Sequence, residues 1–390
     1  MIFGYQSNLT TQKTKVMKKQ KKIFIYIFFS LAISFPLNAQ WILHTVGDGN
    51  NKKASVSENI GLAKITISYD RPGVKGREGK IWGTDVAHYG LKDLGFGTSS
   101  MCPWLAGANE NTTVSFSEDV KVEGKDLAAG TYGFFILLGE TDDTLIFSKR
   151  NDAWGSFYYN PAEDALRVVV KHQSLPTSVE WLKYDFINQT ENSSTVALMW
   201  EKRMFPFKVE ANVHKLQFDS FTNELKTTPG FNWLGYVQAA RYCTDNNMEL
   251  EQGLKWADQA INERFVGQKN FQTLSTKANV LAKMGRNAEA EKLMAEALPM
   301  GNVTDLHQYA RFLIGSKKAK EALAVYQLNY KNNPDVYTTN VGLMRGYSAN
   351  GDYKKAMSYA DKAIKQAPDA GNKEYLEGLR KKLAQGSDIN

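Results

Sequence analysis

A chain of 390 residues with 43% hydrophobic and 12% aromatic residues carries enough apolar side chain for two or three packed domains, which excludes a wholly disordered protein. Its formal charge of +7 points at first to nucleic acid or an anionic membrane surface. Yet Lys13, Lys15, Lys18, Lys19, Lys21 and Lys22 lie within residues 1–39, which contain no acid; the remainder is nearly neutral, so charge supplies no reason to expect a nucleic-acid partner.

Those lysines precede an apolar run. Met17 to Lys22 is a basic stretch, Ile23 to Phe35 is 13 residues of mostly apolar character, and Pro36 stops it ahead of Leu37-Asn38-Ala39. This arrangement reads as a secretory signal peptide that starts at Met17 and is cleaved after Ala39. The run is short of the ~20 residues that a spanning helix needs. The expectation is export to the periplasm or the extracellular space, with no transmembrane span after cleavage. Cys102 and Cys243 are the only cysteines. Two cysteines do not make a disulfide framework, and buried free thiols are the expected state.

From about Ile60 to Lys215 the pattern has period two. Lys64 to Tyr69 alternates strictly, as does Thr113 to Ser117, and Thr131 to Leu138 and Thr144 to Ser148 are rich in aromatic and branched residues. Leu166 to Val170, Val179 to Ile187, Thr195 to Trp200 and Phe207 to Val213 complete the set, separated by turn residues such as Asn160-Pro161 and Asn188 to Ser194. Many short strands without long helical periods predict an antiparallel sandwich or barrel-like unit.

After about Leu216 the periodicity becomes helical and repeats. Ala278, Leu281, Gly285, Ala290, Met294 and Ala297 occupy the offsets of a tetratricopeptide helix pair, and Ala310, Leu313, Ala322, Tyr326 and Pro334 occupy matching ones. A further copy runs from Met344, Tyr347 and Gly351 through Ala356, Ala360 and Ala363 to Pro368, and Trp233 to Ile261 reads as a degenerate pair. Ala290, Ala322 and Ala356 are 32 and 34 residues apart, near the 34-residue period of such repeats. Small alanines let paired helices approach, glycine closes the turn and proline ends the second helix.

The stretch between the first strands is dense in special residues. Tyr69-Asp70-Arg71-Pro72, Gly76-Arg77, Ile81-Trp82-Gly83, Trp104, Gly107-Ala108-Asn109-Glu110, Thr112 and Gly130-Thr131-Tyr132, followed by Trp154-Gly155 and Tyr158, together resemble domain of unknown function 2911. The resemblance covers about Ala54 to Lys215 and implies an exported protein of Bacteroidota type, in some members followed by tetratricopeptide-like repeats. It implies no activity. Leu105 stands where arginine is common, Ala128 where proline is common, and Leu91 to Pro103 makes a longer loop than usual.

Arg71 and Arg77 flank a Pro-Gly turn; a guanidinium pair there suits an anionic group, or else forms ion pairs with Asp70, Glu78 or Glu110 that pin the loop. Asn109 and Glu110 precede a strand and read either as a polar recognition pair or as a structural turn. Asp70, Asp85 and Glu110 could supply the carboxylate pair of a glycoside hydrolase, but no spacing in sequence defines one. His44, His88, His172, His214 and His307 show no metal-ligand spacing, so no zinc site and no cofactor are expected; His88 alone lies in the special stretch. Gly90 and Gly95-Phe96-Gly97 lack the motif of a phosphate loop. Trp82, Trp104, Trp154, Trp181 and Trp200 could form an aromatic ligand platform, but tryptophans at strand spacing belong more often to the core, so only Trp82 and Trp104 are expected to be partly exposed. On the inner helices, Ser275, Asn279, His307, Arg311 and Arg345 map to the concave face, where arginines could clamp a peptide carboxylate.

The expected architecture is therefore segregated α+β: residues 1–39 a signal peptide, 40–215 an antiparallel β-sandwich or barrel-like domain, and 216–390 an all-α tetratricopeptide-like solenoid. The leading functional expectation is an exported, non-enzymatic binding or assembly protein of the cell envelope. Its helical repeats would hold a protein or peptide. Its β part would hold a ligand or partner, a small polar or carbohydrate ligand among them, at Arg71, Arg77, His88, Asn109 and Glu110. Two alternatives stand beside it: an enzyme acting on a carbohydrate or other polar envelope substrate at those residues, and a purely structural unit.

Overall fold

Alternation in the sequence becomes a two-faced sheet. In the computed structural model, which describes residues 51–390, strand β2 (Ala63–Arg71) buries Ala63, Ile65, Ile67 and Tyr69 and turns Lys64, Thr66 and Ser68 outward. The signal-like segment and His44 lie outside the described residues. β2 lies between β1 (Lys52–Ile60) and β3 (Thr113–Phe116), and the sheet continues through β6 (Gly130–Leu137) and β7 (Asp142–Ser148) to β8 (Asp164–Lys171). Register is antiparallel, with Val114 opposite both Ile67 and Tyr132. β6 is central, and its run Tyr132 to Ile136 is buried on both faces.

A second sheet has the order β5 (Lys125–Leu127), β4 (Val120–Val122), β10 (Ser193–Glu210), β9 (Gln173–Ile187). Neither sheet closes into a barrel among the described residues. Both sheets line one hydrophobic core. Phe134 meets Phe207 with ring centroids 5.6 Å apart, and Tyr69 meets Tyr184 at 4.6 Å. Such aromatic pairs add about 0.5–1.5 kcal/mol each beyond the area they bury.

Trp200 is buried and Trp82 is half-buried, as expected, but Trp104, Trp154 and Trp181 do not fall as expected. Trp104 is buried and stacks parallel to Trp200, and Trp82 packs edge-on to both. Trp154 and Trp181 are the exposed ones. Trp154 stands in a loop stretch beyond β7, so the strand rule used to place it in the core does not apply.

Residues 72–112 have no long strand, but short bridges stitch them to one another, to the sheets and to the loop after β7. Gly73 pairs with Trp181, Lys92 with Cys102, Trp104 with Ile136 and Glu110 with Trp154. A loop of this length with little secondary structure of its own is usually functional.

Ten α-helices follow among the described residues. They are α1 (Val213–Glu224), α2 (Trp233–Asp245), α3 (Leu250–Asn262), α4 (Phe271–Lys283), α5 (Asn287–Ala297), α6 (Val303–Gly315), α7 (Ala319–Asn332), α8 (Tyr337–Ala349), α9 (Tyr353–Lys365) and α10 (Ala370–Ala384). Helices α4, α6 and α8 start 32 and 34 residues apart, at Phe271, Val303 and Tyr337. The alanines behind the repeat reading are buried: Ala278, Ala290, Ala310, Ala322, Ala356 and Ala360. Pro334 and Pro368 follow the ends of α7 and α9. Helix α1 joins the β part to the repeats. Asn212 caps its start, Phe218 packs on Trp256, and the His214 ring shares a hydrogen bond with the Tyr242 hydroxyl at 2.9 Å. Cys102 and Cys243 are both buried and free.

Candidate functional site

The two arginines after β2 are turned onto backbone. Arg71 Nε donates to the Leu182 carbonyl at 2.9 Å. Arg77 donates from Nε to Val74 O at 3.0 Å and from Nη2 to Gly73 O at 2.7 Å. The loop itself continues the pairing onto β9, with Val74 N to Glu180 O at 2.8 Å and Leu182 N to Pro72 O at 3.0 Å. Arg71 and Arg77 thus pin the loop, as one reading of the sequence had it, but through carbonyls in place of the ion pairs expected with Asp70, Glu78 or Glu110. A guanidinium satisfies such carbonyls well because its donors are fixed in a plane.

Asn109 and Glu110 meet a different set. Lys53 of β1 forms an ion pair with Glu110 and lies 3.5 Å from the buried Asp70 carboxylate. Asn109, in the left-handed region at φ +56°, hydrogen-bonds Asp70 as well. Burial raises the Asp70 carboxyl above its ordinary value against the opposing pull of Lys53 and Asn109. The stretch therefore divides into arginines bonded to backbone, Arg71 to β9 and Arg77 within its own loop, and a Lys53–Asp70–Asn109–Glu110 cluster on the β1–β2 side. His88 is buried, its Nδ1 has no protein partner among the described residues, and burial lowers its pKa.

Beside that cluster the backbone bridge from Glu110 to Trp154 leads into a cleft of about 500 Å³. Thr98, Arg150, Asp152, Ala153, Trp154, Tyr158, Asn160 and Glu163 line it. The long Leu91–Pro103 loop forms part of the rim, because Thr98 and Ser99 both donate backbone N–H groups to the Phe157 carbonyl. Sequence reasoning missed this cleft. Its signal was present in Trp154-Gly155 lying between Asp152 and the Asn160-Pro161 turn, which is loop chemistry and not strand chemistry.

On the helical part, His307 and Arg311 of α6, Arg345 of α8 and Tyr326 of α7 come together. The His307 and Tyr326 rings lie 5.5 Å apart, and neither His307 Nδ1 nor the Tyr326 hydroxyl has a protein partner among the described residues. Burial, then the charges of Arg311 and Arg345, push His307 down to about 4, while burial pushes Tyr326 up to about 12. Arg311 is exposed. Asn279 is exposed on α4, and Ser275 is buried with its hydroxyl on the Gln272 carbonyl.

The chain places a segment of itself beside this cluster. After α10, residues 388–390 return to α8. Ser348 Oγ donates to Asp388 Oδ1 at 2.6 Å, and Ile389 N donates to Ser348 Oγ at 3.1 Å. Arg345 Nη1 donates to the Ile389 carbonyl at 3.4 Å and Asn390 Nδ2 to the Arg345 carbonyl at 3.1 Å. The Ile389 side chain packs against the apolar cluster that contains Met344, Leu379 and Leu383. Burial raises the Asp388 carboxyl, but the donors from Ser348, Asn390 and the backbone outweigh it and hold it below the ordinary range. The repeat pattern named Tyr326 as a packing position, but neither its place beside His307 nor the contacts of residues 388–390 were legible there, because the pattern assigns faces and not partners.

Among the described residues no group of histidine, cysteine and carboxylate side chains is placed to hold a metal ion, and no helix is long and apolar enough to cross a membrane.

No curated protein matches the chain. Among solved structures, that of YrrB, described as a TPR protein with an unusual peptide-binding site, is 19% identical over 43% of this chain and 86% of its own, with a TM-score of 0.28. A tetratricopeptide repeat protein from Parabacteroides merdae is 14% identical over 45% of this chain and 70% of its own, with a TM-score of 0.30. MamA from Desulfovibrio magneticus is 17% identical over 39% of this chain and 88% of its own, with a TM-score of 0.26. Residues 51–209, which span the two sheets, match the model of the family described as protein of unknown function (DUF2911).

Proposed function

We propose that the chain is an exported binding protein whose helical repeats hold an extended segment of a protein partner, with the DUF2911 domain as a separate ligand-binding unit. The observation that supports it is the seating of residues 388–390 against α8. A short segment outside any helix or strand is held there by its own carbonyl, amide and carboxylate, and its aliphatic side chain packs on an apolar patch. Extended-peptide recognition combines these same two components: main-chain hydrogen bonds for affinity and side-chain pockets for specificity. Next to that segment, Arg311 and Arg345 concentrate positive charge beside a neutral imidazole, which favours an acidic partner segment. Export is supported by the basic stretch and apolar run of residues 17–39.

The test uses a fluorescent peptide with the sequence of residues 385–390 and a variant lacking residues 386–390. The shortened variant is expected to bind the peptide, and Arg345→Ala or Ser348→Ala in that background to weaken binding at least tenfold. Ile389→Ala in the full chain loosens the tail without shortening it and should also admit the peptide. Failure of both the shortened and the Ile389→Ala forms to bind would overturn the reading. Cell fractionation tests export separately, and retention in the cytoplasm would sink it.

A further inference from the structure

We infer that the cleft at Trp154 and Tyr158 is a binding site for a neutral carbohydrate. This names a ligand class for the DUF2911 domain and rests on the reading of that domain as a ligand-binding unit; it does not depend on the helical groove.

Three aromatic side chains are exposed together at this rim. Phe96 is 61% exposed, Trp154 54% and Tyr158 40%, and the Phe96 ring lies 6.4 Å from that of Tyr158. Isolated exposed apolar side chains need no explanation, whereas a cluster beside a concave surface marks an interaction site. The cleft volume of about 500 Å³ falls among small-molecule sites, which run from about 300 to 1,000 Å³.

The chemistry of the lining selects the ligand. Apart from Ala153 it contains no aliphatic residue, so it offers no pocket for the apolar anchor of a peptide. It carries two carboxylates against one guanidinium: Arg150 lies 3.3 Å from Asp152 and 3.4 Å from Glu163. An anionic ligand would meet that surplus of negative charge, and a cationic one would compete with Arg150. A neutral ligand rich in hydroxyl donors meets neither cost. Carboxylate oxygens accept its hydroxyl protons, and Arg150, Thr98 and Asn160 supply further polar atoms. The ion pairs of Arg150 are long, with Arg150 and Asp152 exposed and Glu163 half-buried, so exchanging them for hydroxyl contacts costs little. A sugar ring also has a face of C–H bonds, slightly positive, which stacks on the electron-rich face of Trp or Tyr. Aromatic faces beside planar acceptors in one cleft fit a sugar better than any other common ligand.

The frame around the site is rigid. The Glu110–Trp154 bridge and the Asn111 N to Ala153 O bond at 3.2 Å hold one wall. The opposite rim is docked so closely that a Cβ on Gly97 would lie 2.3 Å from the Phe157 carbonyl. Exposed aromatics held by such a frame lose little entropy on binding.

The experiment titrates the full chain with soluble neutral oligosaccharides of three types: β-1,4-glucan, β-1,4-linked N-acetylglucosamine and α-1,4-glucan hexamers. Calorimetry and tryptophan fluorescence are the readouts. At least one is expected to bind, with Trp154→Ala weakening it tenfold or more, Tyr158→Ala weakening it several-fold, and Trp181→Ala, at the other exposed tryptophan, leaving it unchanged. All three substitutions are at exposed side chains, and unchanged thermal unfolding confirms that each variant is folded. Absence of binding by all three sugars, or binding that survives Trp154→Ala, overturns the proposal. Capture of a random peptide library that depends on Trp154, with no sugar bound, would also overturn it while leaving the domain a ligand-binding unit. Loss of peptide binding at α8 would not bear on it.

Discussion

The Glu201 carboxylate accepts the indole N–H of Trp82 at 2.9 Å, and through this bond the long loop after β2 is anchored to β10. Glu201 sits at a bulge in β10 with φ +49°, is buried, and also accepts from Lys202 N at 2.7 Å and Gly79 N at 3.3 Å. A non-glycine residue in that backbone region costs of order 1–3 kcal/mol, which the three hydrogen bonds offset. Burial raises the carboxyl, but the donors from Lys202, Trp82 and Gly79 outweigh it and hold it below its ordinary value. A depressed carboxylate contributes stability that is present above the unfolded-state value and lost as pH falls through the folded one. Glu201→Gln is expected to cost about 1–3 kcal/mol at pH 7 and to flatten the acid limb of stability below about pH 4.5. Urea denaturation at pH 7 and at pH 4 measures both; an unchanged midpoint at pH 7 would refute the anchoring role.

Gly133 on β6 lies against the segment that carries the cleft. A Cβ there would stand 2.2 Å from the Arg150 carbonyl and 2.5 Å from Asn111 Oδ1. Backbone cannot yield as a side-chain tip can, so Gly133→Ala is expected to destabilise by about 1–3 kcal/mol, the range for overpacking a filled interior. Thermal unfolding is the check. A crystal structure of the variant should show the 150–154 segment displaced.

His307 makes the repeats sensitive to acid. Its folded-state value of about 4 lies below the ordinary 6.5, because the neutral ring is half-buried, with Arg311 and Arg345 nearby and Tyr326 packed against it. The unfolded chain therefore binds the proton more readily between those values. Stability from this group is complete above about pH 6.5 and declines as pH falls towards 4, by up to about 3 kcal/mol. His307→Gln is expected to remove that slope, read as the pH dependence of the denaturation midpoint from 7 to 4. A slope unchanged in the variant would assign the acid sensitivity elsewhere.

Arg71 and Arg77 are expected to matter for stability and not for ligand capture. Arg71 donates to the Leu182 carbonyl of β9 and Arg77 to the Gly73 and Val74 carbonyls of its own loop, and hydrogen bonds from charged groups contribute about 1.5–3 kcal/mol. Arg71→Ala and Arg77→Ala should each lower stability by roughly that amount. Neither should alter sugar binding at Trp154 in a variant that remains folded. A variant of unchanged stability that lost ligand would return these arginines to the site.

Much of the β part was legible because its cause is local. Strict alternation in Lys64 to Tyr69 and Thr113 to Ser117 can be satisfied only by strands with one face buried, and both became strands with the expected register of faces. The candidate site was legible only as a stretch of chain. Arg71 adjoins Asp70 in the chain, yet its donor reaches the carbonyl of Leu182, over 100 positions away in sequence, while Arg77 turns back onto Gly73 and Val74 of its own loop. Trp154 and Trp104 exchanged roles for a similar reason. Whether an indole is buried depends on what the opposite sheet places over it, and Trp200 of β10 covers Trp104.

The sequence by itself determined the segregation of strands and helices, the spacing of the repeats and the family pattern of the β part. Each of these follows from periodicity, small residues and turn residues, which act over a few positions or recur at fixed intervals. Only the tertiary structure decided that the special stretch divides into arginine staples and a lysine–carboxylate cluster, that a cleft opens at Trp154, and that residues 388–390 lie on α8. Those outcomes depend on contacts between positions far apart in the chain. There, burial, charge and hydrogen-bond geometry settle which of several chemically acceptable partners each side chain takes.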